Sequence, residues 1–200
     1  MKTIALLVLA TALAFVPGCG KPHSDTPSTA TGSADNDADH ITVLARHRPA
    51  KPTDPVEVRF DKFRVVSATF DPKTIEGGTA TIEIDLASLA SGSGERDDDL
   101  KSPRFIDVAT FATVTIEIAN VRKKLDKTFT ADATVKLRGV TKTYPVTFDV
   151  VEQRADGIRI RGEHTFSRLD FGVGTDPAAD PHQQVDTELT IQMLLTLKKP

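Results

Sequence analysis

The densest group of charged side chains is the run Glu95-Arg96-Asp97-Asp98-Asp99. Carboxylates at this spacing could share a hard cation such as Ca²⁺. They could equally accept hydrogen bonds from the free N–H groups of a short helix that begins near Leu100 and that Pro103 ends. Arg96 would suit either an acidic ligand head group or the neighbouring aspartates. We predict a capped, solvated turn here and no metal site.

Three other ionisable side chains stand where they could contact a ligand or fix a turn. His164 lies in a segment of alternating apolar and polar residues, where it either contacts the polar end of a ligand or forms a hydrogen bond in the core. Arg168 and Asp170 are predicted to pair at a strand end. The sequence contains no GxSxG, HExxH or CxxC motif and no phosphate-binding glycine loop. We therefore predict no enzymatic activity and no cofactor.

The elements that position these residues are predicted by apolar residues that alternate with polar ones, which is typical of strands with one buried face. Short links such as Glu76-Gly77-Gly78 and Ala155-Asp156-Gly157 favour antiparallel neighbours. About eight such segments follow one another, and their inward residues are Ile41 to Ala45, Val56 to Val65 across Asp61-Lys62, Ala80 to Leu86, Ala112 to Ile118, Phe129 to Leu137, Tyr144 to Val150, Ile158 to Phe166, and Val185 to Leu197.

Strands of this length leave unpaired edges unless the sheet closes, so an antiparallel barrel is predicted, with a two-sheet sandwich as the alternative. Several inward positions are alanine, namely Ala45, Ala80, Ala112, Ala131 and Ala133. Small residues on the inner face would leave an open lumen, unless larger partners opposite them fill the space. The sequence leaves both possibilities open.

The segment from Gly94 to Ile118 interrupts the alternation with an acidic turn, a short helix and an apolar crossing. Its apolar side chains are too frequent for a solvated loop and too irregular for one strand, so we expect them to cover one end of the sheet. The predicted rim residues are Arg96, Leu100, Phe105 and Phe111, with Val108 beside them.

Three ordered motifs in this part of the chain resemble a known family. They are Arg96-Asp97 with Leu100, Ser102, Phe105 and Asp107-Val108; the turn Leu137-Arg138-Gly139-Val140-Thr141-Lys142; and Phe166-Ser167-Arg168-Leu169-Asp170-Phe171-Gly172-Val173-Gly174. Together they resemble the YceI-like polyisoprenoid-binding proteins. The resemblance implies an all-β fold, an eight-stranded antiparallel lipocalin-like barrel with a short helical crossing segment. It also implies an apolar pore that holds an isoprenoid lipid: a polyisoprenoid, an isoprenoid quinone or a polyprenyl phosphate.

Under that reading, the inward positions of the strands line the pore. The predicted ligand-binding residues are Ile82, Ile84, Val114, Ile116, Phe129, Ala131, Ala133, Val135, Phe148, Ile160, His164, Phe166, Leu189, Ile191 and Met193. The alternative is an envelope structural or interaction domain with a filled core and no ligand.

The N-terminus has the pattern of a lipoprotein precursor. In residues 1–18, Lys2 precedes an apolar run that is too short to span a hydrocarbon core of about 30 Å, and Val16-Pro17-Gly18-Cys19 resembles a lipidation box. We predict a signal peptide at 1–18, a lipidated Cys19 with a disordered tether at 19–40, and the barrel domain at 41–200. A free thiol beside a different cleavage site is the alternative.

The composition bears on location and partners. Without residues 1–18, 24 Lys and Arg remain against 28 Asp and Glu, a net charge of −4, and the basic residues are scattered, so nothing favours nucleic acid. We predict a periplasmic protein that is attached to a membrane through its lipid anchor and that has an isoprenoid lipid as its partner. Gly20 after Cys19 favours the outer membrane, because an aspartate there marks inner-membrane retention in enteric bacteria. The sequence indicates no particular protein partner.

Overall fold

A computed structural model describes residues 38–180 and 182–199 of the chain, so the predictions for the signal peptide, Cys19 and most of the tether lie outside the described residues. No helix among the described residues is long and apolar enough to span a membrane. The strands are β1 (His40–Ala45), β2 (Val56–Phe60), β3 (Phe63–Thr69), β4 (Thr79–Asp85), β5 (Leu89–Ala90), β6 (Thr113–Lys123), β7 (Thr128–Leu137), β8 (Val140–Arg154), β9 (Gly157–Ser167) and β10 (Glu188–Lys198). The helix α1 spans Gly94–Lys101, and two 3₁₀ turns span Leu86–Ser88 and Arg168–Phe171.

All ten strands belong to one antiparallel sheet in the order β3-β4-β6-β7-β8-β9-β10-β1-β2-β5. The predicted all-β barrel is confirmed, and the two-sheet sandwich is wrong. The predicted count of eight is corrected to ten among the described residues. Asp61-Lys62 divides one predicted strand into β2 and β3, and the two-residue strand β5, after the 3₁₀ turn at Leu86–Ser88, lies beyond the predicted strand Ala80 to Leu86.

These two breaks allow the sheet to close. Arg59 on β2 pairs with Thr42 on β1 and, on its other side, with Ala90 on β5. β3 follows β2 directly and pairs with β4, where Phe63 lies opposite Ile84. The edge strands β3 and β5 are therefore continuations of strands that are already inside the sheet, and the sheet curls around one enclosed face.

Alternation places the apolar side chains on that enclosed face. Ala80, Ile82 and Ile84 on β4 are buried, while the residues between them are not. Across the β6 pairing, Ile82 lies opposite Ile116, so inward residues meet inward residues. The tight turn between β7 and β8 keeps this register, because Arg138 and Gly139 both have positive φ (50° and 74°), as a two-residue hairpin loop requires.

The predicted cap at the acidic run is wrong. The run lies inside α1, which begins earlier at Gly94 and has Ser93 as its N-cap without a side-chain cap bond. Asp97 instead accepts a hydrogen bond of 2.8 Å from the backbone N–H of Ser91 and a second bond from the Ser91 hydroxyl. Those bonds lower the pKa of Asp97 and attach α1 to the end of β5. The predicted end of the helix before Pro103 is confirmed.

The crossing that follows α1 covers one end of the barrel, as predicted. Phe105 is 4% exposed and forms a second apolar cluster with Phe171 and Val173, which follow β9. Leu100 and Ile106 pack against both this cluster and the main core. We call this end of the barrel, defined by α1, Phe105 and the 3₁₀ turn Arg168–Phe171, the helical end.

Arg168 holds the helical end together, and its predicted pairing with Asp170 is wrong. Its side chain is 1% exposed and donates to four backbone carbonyls, those of Val173, Thr175, Val185 and Asp186, at 2.6–2.9 Å. The planar guanidinium can satisfy several acceptors at once, which an ammonium group would do less well. Gly174 leaves room for it, since a Cβ atom there would lie 2.8 Å from Nη1 of Arg168.

We expect Arg168→Met to destabilise the barrel strongly. The substitution would leave buried carbonyls without donors, each at a cost of about 1–3 kcal/mol, so the free energy of unfolding should fall by roughly 3 kcal/mol or more. The measurement is urea unfolding. Arg64→Met is the matched control, because Arg64 forms an exposed pair with Glu83 at 2.8 Å and such pairs contribute about 1 kcal/mol or less. Equal losses in the two variants would contradict the structural role of Arg168.

Candidate functional site

The closed sheet encloses a cavity of about 230 Å³ that extends from the helical end to the opposite end of the barrel. The smallest space that holds a water molecule measures roughly 10–15 Å³ on the same kind of scale, so this is a large void. All but six lining residues are apolar or glycine, and those six are Thr79, Tyr144, Thr147, Glu163, His164 and Arg168. The interior is therefore not a fully packed core.

Most of the predicted pore residues lie on this cavity. Those that line it are Ile82, Ile84, Val114, Ile116, Ala133, Val135, Phe148, Ile160, His164, Phe166, Leu189, Ile191 and Met193. Phe129 and Ala131 are the two that do not, although both are buried. Phe148 stacks on Phe129 with ring centroids 5.7 Å apart and itself faces the cavity, so it separates Phe129 from the void.

The alanines explain only part of the open space. Ala45, Ala80 and Ala133 line the cavity. Ala131 lies opposite Val146 outside its lining, and Ala112 is exposed just before β6, so its predicted inward position is wrong. The carbonyl of Ala112 instead accepts a hydrogen bond from the N–H of Leu86 at 2.9 Å. Of the five predicted alanines, only those on β1, β4 and β7 border the cavity.

The predicted rim divides into two pairs. Leu100 and Phe105 line the cavity at the helical end. Arg96 is exposed and donates to the carbonyl of Ser91 at 3.1 Å, outside the cavity lining. Phe111 also lies outside the lining, where the guanidinium of Arg138 sits 6.0 Å from its ring centroid. Arg96 and Phe111 are therefore not rim residues of the cavity.

A tyrosine and a histidine stand side by side on the cavity wall near the helical end. Tyr144 is the only tyrosine of the chain, and its hydroxyl donates to Asp170 at 2.9 Å. Burial and the Asp170 carboxylate raise the pKa of Tyr144 to about 12, so the phenol stays neutral. The ring of His164 lies 5.2 Å from that of Tyr144, centroid to centroid.

His164 is not the hydrogen-bonded core histidine that the sequence also allowed. Its Nε2 atom is buried and has no hydrogen-bond partner among the described residues. Burial lowers the pKa of His164, so the imidazole is neutral near pH 7 and offers one donor and one acceptor. The ring of His164 thus lines a mostly apolar cavity while its Nε2 atom stays buried.

Sequence reasoning missed the end of the cavity opposite the helical end, where Phe70, Ile75, Gly78 and Val121 complete the lining. Ile75 lies in a turn and is 4% exposed. Its φ of 65° is unusual for a β-branched residue. The available signal was the pair of apolar residues Phe70 and Ile75, on either side of Asp71-Pro72-Lys73-Thr74. The alternating pattern could not show that this turn folds inward.

The described residues contain no group of three or more His, Cys, Asp or Glu side chains placed to hold a metal ion. The physical property that dominates the site is its apolar surface. Such a cavity favours a ligand that brings hydrocarbon out of water, with few polar contacts to fix its orientation.

Comparison with known sequences gives distant relatives of similar length. A UPF0312 protein of Azotobacter vinelandii is 29% identical over 133 residues, which cover 63% of this chain and 68% of that protein. A UPF0312 protein of Pseudomonas aeruginosa strain LESB58 is 31% identical over 135 residues, with coverage of 63% and 68%.

Solved structures share the fold. BcnA of Burkholderia cenocepacia superimposes with a TM-score of 0.70 at 22% identity, over 80% of this chain and 96% of that one. A polyisoprenoid binding domain from Saccharophagus degradans, implicated in plant cell wall breakdown, gives a TM-score of 0.62 at 17% identity, over 83% and 97%. At these identities the likeness concerns the barrel itself.

The family model described as the YceI-like domain matches residues 33–197. This range takes in all ten strands except the last residue of β10, together with α1 and the segment that Arg168 holds. The chain therefore belongs to the YceI-like domain family.

Proposed function

We propose that this protein binds an isoprenoid lipid in the barrel cavity and sequesters or transports it. The observation that carries the proposal is the continuous apolar cavity between the two ends of the barrel. Each methylene that moves from water into such a space contributes about 0.8 kcal/mol, so a long branched hydrocarbon chain is a suitable occupant. The polyisoprenoid binding domain of Saccharophagus degradans has the same fold, which supports this choice of ligand class.

Binding without catalysis fits the chemistry of the site. Tyr144 donates its hydroxyl hydrogen to Asp170, and Arg168 is occupied by four carbonyls. His164 has no acidic or nucleophilic hydrogen-bond partner that would complete a catalytic pair among the described residues. We propose that these groups position a ligand and the walls of the cavity.

The direct test is to purify the protein from its host, extract it with chloroform and methanol, and analyse the extract by mass spectrometry. An isoprenoid lipid at close to one molecule per protein is the expected result. An extract without any lipid would favour the alternative, an envelope structural or interaction domain.

Replacing an inward alanine with a larger side chain distinguishes an open, ligand-binding cavity from a packed core. Ala133 lines the cavity and Ala131, two residues away on the same face of β7, does not. We expect Ala133→Trp to melt within a few degrees of ligand-free wild type and to retain little lipid, because the indole occupies ligand space. Ala131→Trp should lose about 1–3 kcal/mol through overpacking. Thermal unfolding and lipid content measure both effects, and equal destabilisation of the two variants would contradict an open cavity.

Phe105 should control ligand release at the helical end. It is 4% exposed and lines the cavity, whereas Phe129, which is also 4% exposed, does not line it. Replacing either with alanine should cost about 3–5 kcal/mol of stability. Only Phe105→Ala should also speed the transfer of bound lipid to acceptor vesicles, by severalfold. If both variants release lipid at the wild-type rate, Phe105 serves packing alone.

We further propose that Cys19 carries the lipid anchor that holds the barrel at a membrane, with an outer-membrane location favoured by Gly20. A disordered tether of about 21 residues, as the sequence predicts, would have a typical reach on the order of 25 Å. Two or three acyl chains make a stable anchor, and one is marginal. We expect Cys19→Ser to move from the detergent phase to the aqueous phase in a phase-partitioning assay. Wild type in the aqueous phase would show that there is no anchor.

A further inference from the structure

The end of the barrel opposite the helical end consists of residues 70–78, 122–127, 151–159 and 196–199, with Asp39, and we call it the loop end. We propose that the loop end docks on an anionic lipid bilayer through the hairpin between β6 and β7. The lysines of this hairpin would contact lipid phosphates, and Leu125 would enter the interface. The inference requires neither the cavity ligand nor the lipid anchor at Cys19.

The first observation is the composition of the hairpin. Its sequence Arg122-Lys123-Lys124-Leu125-Asp126-Lys127 has four cations and one carboxylate. All six residues are exposed, and none of the four cations forms an ion pair with a described residue. Leu125, at 67%, is the most exposed large apolar side chain of the described residues. Lysines beside an exposed leucine suit a surface that offers both phosphate and hydrocarbon, as an anionic bilayer does.

The second observation is that the barrel holds this hairpin in place. The N–H groups of Lys124 and Leu125 both donate to the carbonyl of Thr128, at 2.9 and 3.1 Å. The N–H of Val150 on β8 donates to the carbonyl of Lys127 at 2.8 Å. The hairpin backbone is therefore ordered before it meets a partner, which lowers the entropy cost of binding.

The third observation is the place where the described chain begins. Asp39 accepts hydrogen bonds from the N–H and the hydroxyl of Thr196, at 2.8 and 2.9 Å. Nearby, the N–H of Lys199 donates to the carbonyl of Asp156 in the β8–β9 loop at 2.8 Å. The chain that leads back to Cys19 is thus joined to the loop end. An anchor at Cys19 would be connected to this end of the barrel and not to the helical end.

The fourth observation is that the hairpin sets the charge of the loop end. The other charged side chains there balance, with five cations and five carboxylates: Lys73, Arg154, Arg159, Lys198 and Lys199 against Asp39, Asp71, Glu76, Glu152 and Asp156. The hairpin adds a net charge of +3. The loop end is therefore positive in a chain whose formal net charge is −3. This local excess suits an anionic surface.

The helical end has the opposite charge, which gives the docked barrel a direction. α1 contains Glu95 and Asp97-Asp98-Asp99 against Arg96 and Lys101, a net charge of −2. β9 has eleven residues, so with the strand tilt of a barrel the two ends lie about 25–30 Å apart. The Debye length at physiological salt is about 8 Å, so the acidic helix does not cancel the attraction of the hairpin. The helical end would face away from the bilayer.

The test uses the mature chain, residues 19–200, with Cys19→Ser, so that no acyl chain contributes to binding. Binding is measured by sedimentation with vesicles of equal parts phosphatidylglycerol and phosphatidylcholine, and with vesicles of phosphatidylcholine alone. We expect at least about tenfold stronger binding to the anionic vesicles, and we expect that preference to fall as salt is added.

Replacing Lys123, Lys124 and Lys127 together with glutamine should weaken binding to the anionic vesicles by about tenfold to a hundredfold, because each lysine near such a surface contributes on the order of fivefold. Since these side chains are exposed, the melting temperature should stay within a few degrees of the parent chain. Thermal unfolding checks this.

The matched control makes the same change of net charge elsewhere. Lys62 lies between β2 and β3, Lys101 ends α1, and Lys142 follows the turn between β7 and β8. Replacing these three with glutamine should leave vesicle binding within about twofold of the parent chain.

A fluorescent label locates the contact. In the Cys19→Ser chain, Leu125→Cys supplies the only cysteine, and an environment-sensitive label there should shift to the blue on anionic vesicles. A label on Asp98→Cys, which is exposed in α1, should not shift.

Three results would each overturn the docking surface: no preference of the parent chain for anionic vesicles, equal weakening in the two triple variants, or an unshifted label at position 125. Lipid extraction and phase partitioning test isoprenoid binding and the anchor separately, so such a result would leave both of those proposals unaffected.

Discussion

Closure of the sheet is the constraint on which the rest of the structure depends. A ten-stranded open sheet would expose two rows of unpaired backbone groups, and here each edge strand continues an inner one across a short break. The break at Asp61-Lys62 lets one length of chain pair with β1 through β2 and with β4 through β3. Once the sheet is closed, alternation forces every second residue into a shared interior.

The interior of the barrel is then decided by side-chain volume. The wall is made of aliphatic residues and phenylalanine, with alanine at Ala45, Ala80 and Ala133, and a cavity remains between them. A void of about 230 Å³ forfeits packing energy that a filled core would gain. A bound hydrocarbon would recover those contacts, so stability and ligand binding are linked in this molecule.

The helical end shows how a buried charge can serve structure. The segment that follows β9 is not part of a named strand, so its backbone carbonyls need other hydrogen-bond donors. Arg168 supplies donors to the carbonyls of Val173, Thr175 and Val185. Asp170, two residues on, is then free to accept the Tyr144 hydroxyl on the cavity wall. One short motif thus closes the barrel and fixes a polar group beside His164.

The sequence by itself determined the barrel and most of its inner face. Period-two alternation assigned Ile82, Ile116 and Ile191 to the interior correctly, since successive residues of a regular strand face opposite sides of the sheet. It also identified Phe105 as a cover, because the apolar side chains of the crossing segment are too frequent for a solvated loop and too irregular for one strand. Both predictions rest on local properties of the sequence, namely residue type and spacing.

Only the tertiary structure decided which inward residues reach the void, and what the polar side chains contact. Phe129 and Ala131 have the same alternation as Ala133, yet they lie outside the cavity lining, and the ring of Phe148, which stacks on Phe129, faces the cavity instead. Arg168 binds carbonyls up to 18 residues away rather than Asp170, and the Nε2 atom of His164 is left without a partner. Such contacts depend on distances between segments that are remote in the chain, and a pattern of residue types contains no such distances.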